Sequence, residues 1–112
     1  MAKMICIYWR DIPAQVVVRA GRKNGFKKQL SPRFAKAIDR AAMRAGKGSS
    51  DLYIAEWRRE AKAVDGDLEA LLDARIAAFE DEWSDEFLES VVKAGGSIEA
   101  AKLRAKGQGS AG

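Results

Sequence analysis

Ile5, Ile7 and Trp9 alternate with Cys6, Tyr8 and Arg10, the two-residue period of a strand rich in β-branched and aromatic side chains. The pattern predicts a strand over 3–10. Asp11-Ile12-Pro13-Ala14 follows, and because Pro13 has a fixed φ and no N–H to give to a ladder, the chain is expected to turn there. Gln15-Val16-Val17-Val18-Arg19-Ala20 reads as a second strand, and the short link makes it an antiparallel hairpin partner of the first. From Gly21 to Lys28 an Asn24-Gly25 turn signal sits among Arg22, Lys23, Lys27 and Lys28, with Phe26 between them; this reads as an exposed basic loop.

Ser31-Pro32 marks a helix start, the serine accepting from first-turn N–H groups and the proline pre-set for the first helical position. The helix is expected over 32–45, ending at Gly46 as its left-handed cap. Phe34, Ile38, Ala41 and Ala45 form its apolar stripe, and Arg33, Lys36, Arg40 and Arg44 a row of four cations on the opposite face. Residues 51–59 return to alternation, with Leu52, Ile54 and Glu56 on one side and Tyr53, Ala55 and Trp57 on the other, a third strand. Leu68, Leu71, Leu72, Ile76, Phe79 and Trp83 then keep helical spacing, with Asp65 or Asp67 as cap. Phe87, Leu88, Val91 and Val92 continue it to Gly95-Gly96. Whether 67–94 is one helix or two broken at Trp83-Ser84 stays open, since Ser84-Asp85-Glu86 also fits a helix start.

These elements predict an α+β fold: a three-stranded, largely antiparallel sheet in the order β-β-α-β-α, with helices packed on one face. The other face would be left to solvent, to a partner or to a second copy of the chain. At 112 residues there is room for one core. The expected division is a single domain over 1–96, followed by a basic, then Gly/Ser-rich flexible tail over 97–112. The apolar start is interrupted at Arg10-Asp11, unlike a signal peptide, and no run approaches the roughly 20 apolar residues of a membrane span. With a single cysteine, Cys6, no internal disulfide can form, so the cytoplasm is the expected compartment. The chain has no histidine, which removes the usual neutral-pH base and the usual partner of a nucleophilic serine or cysteine. No catalytic residue, metal or cofactor is expected.

Charge divides along the chain. Residues 1–64 hold 15 Lys or Arg against 5 Asp or Glu, whereas residues 65–100 hold 2 against 11, so a total of +4 conceals two opposed fields. One reading is a basic docking surface, made of the loop Arg22, Lys23, Lys27 and Lys28 and the helix row Arg33, Lys36, Arg40 and Arg44, that attracts an acidic protein partner. The other is that the two fields attract each other on folding. Nucleic acid is disfavoured, because the acidic segment would repel phosphate and Phe26 alone offers a base to stack on. Trp9-Arg10 and Trp57-Arg58 repeat one dipeptide at two strand ends. If those strands are neighbours, Trp9, Arg10, Trp57 and Arg58, with Arg59, gather at one end of the sheet and form either a pocket for an anion or carboxylate or a core anchor shielded by arginines. Cys6 reads as a small buried hydrophobe, and Asp39 as a local ion-pair partner within the cationic helix.

The run from Ile5 through Trp9-Arg10-Asp11-Ile12-Pro13-Ala14-Gln15-Val16, with Leu30-Ser31-Pro32-Arg33-Phe34, Ile38 to Gly46 and Trp57-Arg58, resembles a small bacterial family labelled "virulence factor", over roughly residues 4–92. Its stand-alone alphaproteobacterial members are similar to this chain. The resemblance implies an accessory role in one-carbon metabolism, beside corrinoid and tetrahydrofolate methyl transfer, and carries no catalytic residues with it. The expectation is a non-enzymatic interaction protein that docks a partner through a basic surface. The alternative is an anionic-ligand module or small enzyme built on the Trp/Arg pairs, for which the one-carbon setting implies a folate-like small molecule.

Overall fold

The computed structural model describes residues 2–22, 24–47 and 49–111. Strand β1 (Ala2–Trp9) pairs with β2 (Ile12–Ala20) through a two-residue turn, Arg10-Asp11. The turn is therefore tighter and earlier than Pro13 suggests. Pro13 lies inside β2, where the ladder is irregular opposite Ile7 and Tyr8 and the missing N–H is tolerated.

The expected basic loop is in fact strand β3 (Asn24–Gln29), antiparallel to β2. Every residue of β3 is exposed, so it carries no hydrophobic alternation to read. Helix α1 (Pro32–Arg44) matches its expected span, but Ser31 makes no side-chain bond to the first turn. Its Oγ instead donates to Glu80 at 2.9 Å.

The third strand is also displaced. Residues expected to be extended form a short helix, α2 (Ser50–Ala55), and the strand that follows is β4 (Trp57–Val64), antiparallel to β1. Tyr53 explains the difference: its ring stacks on Trp9 at 5.9 Å and its carbonyl accepts from Trp9 Nε1 at 2.9 Å. Burying that aromatic pair selects the helical turn over the alternation of Leu52 and Ile54, both of which are exposed. The sheet thus has four strands rather than three, in the order β3-β2-β1-β4.

The acidic segment is two helices. Asp67 caps α3 (Leu68–Glu82), accepting from the Glu69 and Ala70 N–H groups. Ser84 caps α4 (Asp85–Lys93), accepting from Phe87 N–H at 3.1 Å. Helix α5 (Ile98–Ala111) occupies the segment read as a tail, and Ala101 on it is buried. No helix among the described residues is long and apolar enough to cross a membrane.

One face of the sheet carries Met4, Cys6, Tyr8, Val16 and Val18, all buried and joined in one cluster with Leu72 and Phe79 of α3 and with Phe34 and Ile38 of α1. Tyr8 meets Phe79 edge-on at 5.9 Å. The opposite face is left open along most of its length: Ile5, Ile7 and Val17 are half-buried there, and Ala61 and Ala63 are exposed.

Candidate functional site

The row of cations on α1 is largely engaged by the acidic helices. Arg33 donates from Nε and Nη2 to Glu80 Oε1, from Nη2 to the Glu80 carbonyl and from Nη1 to Asp85. Arg40 makes a two-pronged pair with Glu89, 2.7 Å on each prong, and its guanidinium holds the Glu89 carboxyl below the usual carboxylate range. Arg44 donates to the Lys93 carbonyl, and Lys28 of β3 pairs with Asp73 of α3 at 3.2 Å. Lys36 forms no ion pair among the described residues. The two fields read from the sequence meet each other here. Asp39 does not serve as the row's internal partner, since it makes no ion pair with any described residue.

The Trp-Arg pairs come together as neighbouring strands require. Trp9 is opposite Trp57 and Tyr8 opposite Arg58 in the β1–β4 ladder. Their guanidinium groups, however, already have protein acceptors. Arg10 donates from Nε to Glu56 at 2.8 Å and from Nη1 to the Gly95 carbonyl at 3.0 Å. Arg58 donates to the Arg10 carbonyl, to Glu60 and to Asp11, and lies over the Tyr8 ring. Trp9 is fully buried. This end of the sheet is a clamp that ties the β1–β2 turn to α2, β4 and the α4–α5 turn.

Four cations without such partners lie on the open face. Side chains alternate between faces along a strand, and the ladders place Lys3, Ile5 and Ile7 beside Arg19, Val17 and Gln15 of β2 and beside Ala63, Ala61 and Arg59 of β4. Lys27 and Gln29 of β3 flank Val17 and Gln15. Lys3, Arg19, Lys27 and Arg59 therefore frame an apolar centre of Ile5, Ile7 and Val17. These strands place no acidic residue on that face, and none of the four cations forms an ion pair among the described residues. Arg22, exposed at the β2–β3 turn, extends the frame. Lys23 lies outside the described residues. Of the expected loop cations, Lys27 faces this surface and Lys28 faces α3.

At the α1 end of the same face is a cleft of about 310 Å³, with Ile7, Leu30, Ile38, Tyr53 and Trp57 as its larger apolar walls. Gln15, Gln29 and Asp39 supply its polar groups. Burial, and secondarily the Asp39 charge, push the Tyr53 phenol above its ordinary value. Sequence reasoning missed Lys3 and Arg19 as members of a site. Their signal was present in the alternation of Gln15, Val17 and Arg19, but reading it required knowing which face of the hairpin stays open.

The family model described as "Virulence factor" matches residues 7–92. The chain belongs to this virulence factor family. The matched span starts within β1 and ends in α4, and so takes in the cleft, the four-stranded sheet apart from the first residues of β1, and the clamp apart from its contacts with the α4–α5 turn. Neither the curated proteins nor the solved structures yield a match.

Proposed function

We propose that this virulence factor domain is a non-enzymatic docking module whose open sheet face seats an acidic, partly apolar protein surface. The observation that carries the proposal is the set Lys3, Arg19, Lys27 and Arg59, four cations with no acidic residue among them, around Ile5, Ile7 and Val17. Such a frame steers an acidic partner towards the face, and the apolar centre supplies affinity. Two copies stacked face to face would oppose four cations to four, which argues against self-association through this surface. Nucleic acid fits poorly, because the middle of the face offers aliphatic side chains where a single strand needs rings to stack on. A one-carbon setting for the partner rests on the family resemblance.

The test compares what the wild-type chain and a Lys3→Glu/Arg19→Glu/Lys27→Glu/Arg59→Glu variant retain from a native lysate at low and high salt. The expected result is an acidic protein held by the wild type, released by salt and not held by the variant. An unchanged set of retained proteins would sink the proposal. A second reading, a small aromatic anion of folate type, would set only its ring in the cleft and its carboxylate outside it towards Arg59, across the ladder from Ile7, rather than between the Trp/Arg pairs. Thermal stabilisation of the wild type by folates, lost in Arg59→Glu, would put that reading first.

A further inference from the structure

We propose that the cleft at the α1 end of the open face receives an aromatic ring carrying an N–H or O–H donor, the anchor side chain of the acidic partner segment; the inference rests on the docking reading above. The cleft and the cationic frame are continuous, since Ile7, Gln15 and Gln29 belong to the open face and also line the cleft. Its volume of about 310 Å³ stands at the lower limit of small-molecule sites, roughly 300–1,000 Å³. That is room for one bulky side chain rather than a large ligand.

The chemistry of the walls narrows the occupant. Tyr53 and Trp57 meet edge-to-face, their ring centroids 5.8 Å apart and their planes at 86°. With Ile7, Ile38 and Leu30 they form an apolar, partly aromatic lining suited to a planar ring. Asp39 is the one charged group among the lining residues, and a carboxylate only accepts hydrogen bonds. Neither it nor the Gln15 and Gln29 amides makes a side-chain hydrogen bond to a described residue. A carboxylate on the occupant would be repelled by Asp39. A cationic occupant would meet Arg59, which is paired with Ile7 across the ladder. A neutral ring with a donor, an indole or a phenol, satisfies both conditions. Rings of this kind dominate the energetics of protein interfaces when they fill a pocket ringed by polar contacts.

The experiment uses the full chain and three probes: indole, 1-methylindole, and a pair of acetylated hexapeptides, Glu-Glu-Leu-Trp-Glu-Glu and the same sequence with Ala for Trp. Indole, followed by two-dimensional NMR, is expected to shift the Ile7 and Ile38 methyls and the Trp57 indole N–H saturably, with 1-methylindole weaker because it lacks the donor. Calorimetry is expected to show the Trp peptide binding about tenfold tighter than the Ala peptide. In Ala35→Trp, which fills the cleft from an exposed position on α1, the two peptides should bind equally and the indole shifts should vanish. In Lys27→Glu/Arg59→Glu both peptides should be lost. Equal affinities for the two peptides in the wild type, or indole shifts scattered away from the cleft, overturn the anchor while leaving docking in place. Peptide binding that survives the charge reversal, or no binding of either peptide, overturns the docking reading and the anchor with it. If Ala35→Trp does not fold, 1-methylindole and the Ala peptide decide the matter on the wild-type chain.

Discussion

At Gly96 the backbone runs at φ +97°, and a Cβ placed there would lie 3.0 Å from Trp9 Cζ3. Only glycine combines that conformation with so close an approach to a fully buried ring. Gly96→Ala is expected to cost about 2–4 kcal/mol, combining left-handed backbone strain with overpacking, and to lower the urea midpoint without changing the slope. Next to it, Arg10 is itself at φ 53°, the one positive-φ residue other than glycine among the described residues. It is held there by Glu56, by the Gly95 carbonyl and by the bond from Arg58 to its own carbonyl. Because Arg10 and Glu56 are each about three-quarters covered, Arg10→Ala should cost about 1–2 kcal/mol. A double-mutant cycle with Glu56→Ala should return a coupling of about 0.5–2 kcal/mol. A coupling near zero would assign the clamp to the backbone bonds alone. These residues carry the Trp-Arg signature and tie the turn in place: the dipeptide was legible, whereas the acceptors that occupy Arg10 come from residues 46 and 85 positions away.

Helix α1 begins under the control of another element. Ser31 N–H and Oγ–H both donate to Glu80 of α3, at 2.7 and 2.9 Å, and Arg33 from the first turn donates to the same carboxylate. Burial alone would push the Glu80 carboxyl up, but the Ser31 bonds and the Arg33 bond and charge outweigh it, so its pKa is lowered. A carboxylate whose folded pKa is depressed adds stability that is fully present above the unfolded value, about 4.3 for Glu. That stability is lost as pH falls through the folded value. Glu80→Gln should therefore lower stability by about 1–2 kcal/mol at pH 7. The gap to wild type should close as chemical denaturation is repeated at pH values falling below 4.3. A gap that stayed constant with pH would mean that shape rather than charge holds the helix start. At this scale β3 and β4 were the elements misread. Both are edge strands whose exposed, charged side chains protect the sheet from adding further strands, so neither shows the alternation by which a half-buried strand is recognised.

Across the whole molecule, packing sorts the cations into two populations. Arg33, Arg40 and Arg44 on α1 close onto α3 and α4 and contribute to stability; Lys3, Arg19, Lys27 and Arg59 on the open face are the ones our proposal assigns to docking. The distinction is measurable with charge reversals of equal size. Lys27→Glu/Arg59→Glu should leave the melting temperature within a degree or two, as exposed substitutions within about ±0.5 kcal/mol do, while abolishing binding of acidic peptides. Arg33→Glu would set a carboxylate against Glu80 and Asp85, and should depress melting by several degrees while leaving peptide binding intact. The reverse pattern would return the docking surface to α1.

What the residues settled by themselves was local. The β1–β2 hairpin, the span of α1, the capacity of Ser84 to start a helix and the two opposed fields of charge follow from periodicity, capping and count, each confined to one stretch of chain. Tertiary structure decided the rest. Stacking of Tyr53 on Trp9 turned an alternating segment into α2 and moved the strand on to Trp57–Val64. The approach of α1 to α3 and α4 matched Arg33 and Arg40 with acids 47–52 positions away, whereas Lys3, Arg19, Lys27 and Arg59 stayed unpaired, among the described residues, on the open face of the sheet. Partners that far apart in sequence are chosen by how helices pack on a sheet, and periodicity within either segment carries no record of that choice.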